Sequence, residues 1–103
     1  MLTAREITVS GDRALRIAEA LNATALRMLQ ILSSEALDVT TIAKRLNLSE
    51  AYISEEVRLL EELKMISVTY ERGRRGIRKV CASAVDKIEI IITPNGTISE
   101  TQN

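Results

Sequence analysis

The sequence predicts an α+β fold that is mainly helical, and three observations support this class. Apolar residues recur at helical spacing over most of residues 13–63, and they alternate with polar residues, as in strands, over residues 66–82. Turn-forming residues separate these segments. The chain has 103 residues, of which 46% are hydrophobic, and this suits one domain with one core. The predicted order is one strand, four helices, a hairpin and a last strand.

The first third of the chain predicts a strand followed by two helices. Residues 5–10 are rich in β-branched side chains, with Ile7 and Val9 on one side, and Ser10-Gly11-Asp12 offers a turn and a helix cap. The first helix covers residues 13–21, and Asn22 can cap a second helix that ends near residue 32. In the first helix Ala14, Leu15, Ala18 and Leu21 follow helical spacing, and in the second helix Leu26, Leu29 and Leu32 are predicted to form the inner face.

Two further helices are predicted, and a short turn joins them. Thr40 can cap the third helix, and Asn47-Leu48-Ser49 forms the turn, in which Ser49 caps a fourth helix from Glu50 to about Leu63. The third helix is predicted to bury Ile42, Ala43 and Leu46. In the fourth helix the spacing i, i+4 and i+7 predicts a buried face of Ile53, Val57 and Leu60.

After the fourth helix the period of the pattern changes to two. Ile66, Val68 and Tyr70 alternate with polar residues, Gly73-Arg74-Arg75-Gly76 predicts a turn, and residues 77–82 return as a second strand. Residues 87–93 predict a third β segment that ends at Pro94-Asn95-Gly96. The chain therefore divides into an N-terminal arm (1–12), a central domain (13–82), a C-terminal β segment (83–94) and a tail expected to be disordered (95–103).

A short helix, a tight turn, a longer helix and a hairpin with a basic tip together describe a winged helix-turn-helix. Ala43 is small where the two helices would cross, and Asn47 tolerates the positive φ that such a turn requires. Leu48 and Ile53 are predicted to fill the gap between the helices. The central domain is therefore predicted to be a winged helix-turn-helix, with additional strands at both ends.

Charge is distributed unevenly, although 14 Lys and Arg balance 14 Asp and Glu. Residues 71–79 contain five cations and one acid, which gives a local net charge of +4. Residues 49–63 contain five Glu and one Arg, which gives a local net charge of −4. The density of arginine in residues 71–79 is typical of contacts with phosphate. The acidic charge of residues 49–63 instead opposes approach to a polyanion.

Three stretches of the sequence resemble the ArsR-type winged-helix transcription regulators, particularly small archaeal members. They are ALNATALRMLQIL at residues 20–32, TIAKRLNLSEAYIS at residues 41–54 and LLEELKMI at residues 59–66. The resemblance spans residues 14–82 and implies a sequence-specific transcription regulator that binds duplex DNA as a homodimer. Helix 50–63 would enter the major groove, and the hairpin tip at residues 72–79 would be the wing. The implied DNA-binding residues are Thr40, Ser49, Glu50, Ala51, Tyr52, Ser54, Glu55, Arg58, Arg72, Arg74, Arg75 and Arg78.

The chain departs from this family in three respects. Metal-sensing members use cysteine pairs or His and Asp sets, but this chain has one Cys and no His, so no metal is expected. Many members carry Arg-His where this chain has Glu55-Glu56, and many end in a dimerising helix rather than a β segment. Glu55 could accept a hydrogen bond from cytosine or pair with Arg58, and Tyr52 could contact a base or pack against the wing.

The terminal segments are predicted to form the dimer interface. An isolated strand with an exposed isoleucine face needs cover from another strand or chain. Pairing of residues 5–9 with residues 87–93 would provide this cover, either within one chain or between two chains. The winged-helix core is expected to be complete without these two segments. The predicted interface residues are Ile7, Val9, Leu15, Ile88, Ile90 and Ile92.

Composition argues against an enzyme. The chain has no His, no evident pair of nucleophile and base, and no glycine-rich phosphate loop, so neither catalysis nor a cofactor is expected. Cys81 is predicted to be a small core residue. An apolar span of roughly 20 residues and a secretory signal are both lacking, which predicts a cytoplasmic protein with no membrane contact. The alternative function is a winged-helix module whose acidic helix binds a basic protein.

Overall fold

A computed structural model of the protein describes residues 5–93, and its elements follow the predicted order with one additional short strand. The helices are α1 (Gly11–Ala20), α2 (Ala23–Leu32), α3 (Val39–Leu46) and α4 (Glu50–Glu62). The strands are β1 (Glu6–Val9), β2 (Leu37–Asp38), β3 (Ile66–Gly73), β4 (Gly76–Ser83) and β5 (Lys87–Ile90). The predicted fold class is confirmed. The predicted disorder of residues 95–103 concerns a segment outside the described residues.

Side chains cap the first turns of α2, α3 and α4. Asn22 Oδ1 accepts a hydrogen bond from the Ala25 backbone N–H at 2.8 Å, and Ser49 Oγ accepts one from the Tyr52 N–H at 3.1 Å, as predicted. Helix α3, however, is capped by Asp38, whose Oδ1 accepts from the Thr41 N–H at 2.8 Å. The prediction that Thr40 is the cap is therefore wrong. Strand β2 holds Asp38 in extended backbone, and its carboxylate is a stronger acceptor than a threonine hydroxyl.

The turn between α3 and α4 has the left-handed residue that the sequence predicts. Asn47 adopts φ 57° and ψ 48°, and the N–H of Leu48 donates to the Ala43 carbonyl at 2.9 Å. Ala43 is only 3% exposed where the helices cross. Leu48 is 40% exposed, so it does not fill the gap between the helices as predicted. Because Asn47 reverses the chain at once, α4 starts three residues later.

Three antiparallel strands form a sheet in the order β2-β4-β3. The β3–β4 hairpin pairs from Ile66 with Ser83 to Gly73 with Gly76, and β2 adds the pair of Asp38 with Val80. Strand β2 is not among the predicted elements, because a strand of two residues is too short to show an alternating pattern. This short strand joins the start of α3 to the hairpin.

The core is enclosed by the four helices, the three-stranded sheet and the terminal strands. Cys81 is fully buried in it, as predicted, and helix α4 contributes the face expected from its spacing. The largest fully buried side chains are Ile17, Met28, Ile42, Ile53, Val57, Leu60, Met65 and Cys81.

The predicted inner face of α2 is partly wrong, and α1 buries only some of the residues that follow helical spacing. Helix α1 buries Ala14, Ile17 and Ala20, whereas Leu15 is 65% exposed and Ala18 is also exposed. Helix α2 buries Ala25, Met28, Leu29 and Leu32, whereas Leu26 is 50% exposed. Both helices carry apolar residues over more than half their circumference, so periodicity alone does not select the buried face.

The two terminal strands pair with each other in parallel, within one chain, and so settle the alternative left open by the sequence. Ile7 lies opposite Ile88, and Val9 lies opposite Ile90. Val9 is only 3% exposed and belongs to the same core as the helices, as does Val85 just before β5. The expectation that the core is complete without the terminal strands is therefore wrong.

Candidate nucleic-acid interface

Helix α4 is anchored along one face and exposes the opposite face. Ile53 and Val57 are fully buried, and this packing fixes the rotation of the helix about its axis. The residues predicted to approach DNA lie on the other side of the first two turns, and all are exposed: Glu50, Ala51, Tyr52, Ser54 and Glu55. Tyr52 is 40% exposed, which leaves its ring partly accessible.

The charged side chains on the exposed face of α4 bind one another. Arg58 donates from Nη2 to Glu55 Oε1 at 3.0 Å and from Nη1 to Glu62 Oε2 at 2.7 Å. The hydrogen bond that Arg58 donates to Glu55, followed by the charges of Glu55 and Glu62, raises the pKa of Arg58. The guanidinium group predicted to reach phosphate is thus held between two carboxylates of its own helix.

The start of α3 lies beside the start of α4. Thr40 Oγ1 donates a hydrogen bond to Glu50 Oε1 at 3.2 Å, and both side chains are exposed. Ser49 precedes Glu50 and uses its hydroxyl oxygen as the cap of α4. Three residues predicted to bind DNA therefore form one cluster at the entry to the helix.

The hairpin tip, residues 72–79, carries three guanidinium groups that have no ionic partner among the described residues. Arg74 and Arg75 form the two-residue turn, in which Gly76 adopts a φ of 111° that side-chain-bearing residues rarely reach. Arg72, Arg74 and Arg75 are exposed, and none of them belongs to an ion pair among residues 5–93. This is the highest density of unpaired cations in that part of the chain.

Arg78 differs from its neighbours in the hairpin tip because it forms an ion pair. Its Nε donates to Asp38 Oδ2 at 3.1 Å, while the other oxygen of Asp38 caps α3. Gly73 leaves room for this side chain, since a Cβ at that position would lie 2.8 Å from Arg78 Cδ. Arg78 therefore connects the hairpin to the start of α3, a contact that the sequence analysis did not foresee.

One face of the hairpin tip combines cations with apolar side chains. Tyr70 lies opposite Lys79 and Arg72 lies opposite Ile77, and cross-strand partners share a face of the sheet. Tyr70 is 67% exposed and Ile77 is 75% exposed, because this face continues past the end of the helical layer. The alternation at residues 66–70 predicts that Tyr70 belongs to the strand, but it does not show where the helices stop covering this face of the sheet.

The residues predicted to form the dimer interface divide into two groups. Val9 lies in the core of its own chain and is unavailable to a partner, while Ile7 and Ile88 are half-buried against that core. Leu15, Ile90 and Ile92 remain exposed, at 65%, 37% and 86%. Val9 is therefore removed from the predicted interface, because its side chain is already buried in the core of its own chain.

Within residues 5–93, no group of three or more His, Cys, Asp or Glu side chains is arranged to hold a metal ion. No helix in the same range is long and apolar enough to cross a membrane.

Comparison of the sequence with known proteins gives no match to a protein-family model and none to a curated protein. Solved structures do match. One is the solution structure of a homodimeric winged helix-turn-helix DNA-binding domain from Mycobacterium bovis, a possible ArsR-family transcriptional regulator. It shares 23% identity with a TM-score of 0.61, over 71% of this chain and 65% of that domain.

Two other matching structures come from different bacteria. NolR from Sinorhizobium fredii gives a TM-score of 0.60 at 22% identity, over 73% of this chain and 72% of its own. Reduced HlyU from Vibrio cholerae gives a TM-score of 0.59 at 19% identity, over 70% of this chain and 73% of its own. Together with the helix order and the hairpin, these similarities show that the protein has a winged helix-turn-helix fold, as the sequence predicts.

Proposed function

We propose that the protein is a sequence-specific transcription regulator of the ArsR type that binds duplex DNA as a homodimer. Helix α4 would lie in the major groove, and the hairpin tip would act as the wing on the phosphate backbone. The observation that carries this proposal is the group of unpaired guanidiniums of Arg72, Arg74 and Arg75. These guanidinium groups can bind phosphate and release counterions from DNA without first breaking an ion pair with a carboxylate.

Contacts within the chain support a shared binding surface for the hairpin and α4. Arg78 connects the hairpin to Asp38 at the start of α3, and Thr40 connects the same helix to Glu50 at the start of α4. The two predicted DNA-binding elements are therefore linked through Asp38, the cap of α3, and through Thr40 in the first turn of that helix. A duplex lying along α4 would meet the hairpin tip on the adjacent strand of its backbone.

The acidic charge of α4 is arranged so that its one cation lies among the carboxylates. Arg58, which the net charge of −4 already includes, lies between Glu55 and Glu62 and shares its positive charge between two of the five carboxylates. Glu50 lies in the first turn, where a carboxylate also complements the helix dipole. The exposed Ala51, Tyr52 and Ser54 would then approach base edges, with Glu55 as a candidate acceptor for cytosine N4.

The homodimer is proposed because a winged helix reads a short site, and two copies read a site that is long enough to be specific. Twofold symmetry would place the two α4 helices about one DNA turn apart, roughly 34 Å. The matching domain from Mycobacterium bovis is homodimeric, which supports the same assembly for this chain.

The test is a titration of fluorescent duplex DNA over roughly 50 to 200 mM salt. Substitution of Arg74 and Arg75 by Ala should weaken binding to specific and random duplexes alike, and should flatten the salt dependence by about one to two units. The matched control replaces Arg13 and Arg16, which are exposed cations of α1 outside this surface, and should keep the slope.

A second measurement addresses specificity and the alternative function. Duplexes selected from a random pool should share an inverted repeat. Equal slopes for the wing variant and the control would remove the hairpin tip from the mechanism. Failure of every duplex to bind, together with retention of a basic protein that Glu61→Gln weakens, would favour the protein-binding alternative.

A further inference from the structure

Strand β5 has one edge paired with β1 and one edge open. The Lys87 N–H donates to the Arg5 carbonyl at 3.2 Å, and the Ile91 N–H donates to the Val9 carbonyl at 2.8 Å. Because successive residues of a strand direct their backbone groups to opposite sides, those of Ile88 and Ile90 point away from β1. Within residues 5–93, β1 is the sole strand partner of β5.

An apolar groove runs beside the open edge. It has a volume of about 410 Å³ and lies between β5 and α2, with Leu21, Leu26 and Leu29 among its lining residues. No residue of β1 lines it, so the groove is on the side of β5 that carries the free backbone groups. Leu26 on one wall is half exposed, and Ile90 near the end of the strand is 37% exposed.

An open strand edge beside exposed aliphatic side chains is a surface that proteins normally cover. The sequence of β5 indicates the cover, because its polar residues carry opposite charges two positions apart. Lys87 and Glu89 precede and follow Ile88 in the strand, and both are exposed on the face of the sheet opposite to the Ile88 side chain. An antiparallel copy of this strand centred on Ile88 would place each Lys87 opposite a Glu89.

We propose that the protein dimerises through this edge, with β5 of one subunit antiparallel to β5 of the other about a twofold axis at Ile88. The result is a continuous sheet of four strands in the order β1-β5-β5-β1. Ile88 of each subunit exchanges two backbone hydrogen bonds with Ile88 of the partner subunit. Lys87 faces Glu89 of the partner subunit twice, and Leu26 approaches the symmetry axis from α2.

Charge selects this register over its neighbours. A twofold axis one residue later would oppose Glu89 to Glu89 of the partner subunit, and one residue earlier would oppose Lys87 to Lys87 of the partner subunit. Both arrangements place like charges at the closest cross-strand distance, which is destabilising. The register centred on Ile88 has two attractive pairs and a hydrogen-bonded central pair, as the direction of its backbone groups requires.

This interface would form the homodimer of the proposed function, on which it rests. Sedimentation of the full chain tests the interface without DNA. Lys87→Glu and Glu89→Lys should each weaken the homodimer about tenfold, because each creates two repulsive pairs. An equimolar mixture of the two variants should restore dimers, since the mixed dimer regains two attractive pairs. Lys44→Glu mixed with Glu61→Lys is the matched control. These exposed residues of α3 and α4 lie outside the groove, and each variant should dimerise like the parent chain.

Ile90→Pro provides an independent variant, because it removes an N–H that points away from β1. We expect a monomer whose circular dichroism spectrum matches that of the parent chain. A parent chain that stays monomeric at all concentrations, or single charge variants that dimerise like the parent, would overturn the proposal. Duplex binding reports on the proposed function separately: a dimer of the expected kind without DNA binding would refute the function and leave the interface intact.

Discussion

The hairpin tip and helix α4 differ in what their charged side chains contact. In α4, Arg58 is bound by Glu55 and Glu62, and the helix is fixed to the core by Ile53 and neighbouring apolar residues. In the hairpin tip, Arg72, Arg74 and Arg75 extend from a two-stranded ribbon and have no ionic partner in the described chain. One element thus has a fixed position and a paired cation, and the other has unpaired cations and little packing.

In the proposed complex with DNA, the hairpin tip and α4 would therefore make different contributions to binding. A phosphate contact by Arg58 would require the guanidinium to exchange two carboxylates for the phosphate, which limits the net gain in free energy. The guanidiniums of the hairpin tip exchange only water and counterions. The hairpin tip should therefore supply most of the affinity, and the rigid exposed face of α4 most of the discrimination among sequences.

The largest predicted effect tests the difference in packing between the two elements. Ile53→Ala should lower the free energy of unfolding by about 2–5 kcal/mol, because it leaves a cavity beneath α4. The control is Ile77→Ala on the hairpin tip, where the side chain is 75% exposed, and it should change stability by no more than about 0.5 kcal/mol. Urea unfolding measures both. A comparable loss for Ile77→Ala would mean that the tip is packed against another part of the protein.

The sequence predicts α4 well because its signals agree. Ser49 is a cap in the right place, Asn47 is suited to the left-handed turn, and the spacing of the buried residues leaves one choice of inner face. Helix α1 offers two overlapping apolar stripes: Leu15 fits the helical spacing seen in the sequence, but Ile17 is the residue that the fold buries. The choice is made by what packs against the helix, and this information is not local.

For the candidate site, the sequence identifies the cationic tip but not which cations are free. Arg78 and Asp38 are 40 residues apart, and their ion pair depends on β2, a strand too short to leave a pattern. The exposed face of Tyr70 and Ile77 was missed for a related reason, since strand alternation does not show where the helical layer ends. Residue types and local spacing therefore predict elements and candidate side chains, whereas partners across the fold need the tertiary structure.

The contact that joins the two elements gives the second prediction. Asp38→Ala should cost about 0.5–2 kcal/mol, because α3 loses its cap and Arg78 loses its partner. Asp38→Asn keeps a capping oxygen and should cost less than about 1 kcal/mol, since the ion pair is half exposed. Thr40→Ala is the control, because Thr40 is an exposed residue of the same first turn that does not cap it. Equal losses for Thr40→Ala and Asp38→Ala would contradict the assignment of Asp38 as the cap.

Acid titration separates the charge of Asp38 from its capping role. Hydrogen bonds from Thr41, with a smaller contribution from Arg78, hold the pKa of Asp38 below its ordinary value. A depressed folded pKa contributes stability that is complete above the unfolded pKa of about 4 and is lost as the pH falls through the folded pKa. The difference in thermal stability between the parent chain and Asp38→Asn should therefore shrink between about pH 6 and about pH 2. A constant difference would show that the carboxylate charge contributes nothing.

The smallest predicted effect concerns Glu55, and it sharpens the contrast between paired and free charge. Glu55→Gln removes one of the two carboxylates that hold Arg58 at the surface of α4. We expect about two- to fivefold tighter binding to every duplex, because one repulsive charge is lost and the guanidinium becomes freer to meet phosphate. Glu61→Gln is the matched control, since it lies on the same helix outside the described ion pairs, and it should change affinity less. If the Glu55 variant instead loses roughly 1–3 kcal/mol of discrimination at one base pair, Glu55 reads cytosine directly and the contrast fails at that position. Equal gains for both variants would mean that the benefit comes from net charge alone, and that Arg58 stays bound to Glu62 on DNA.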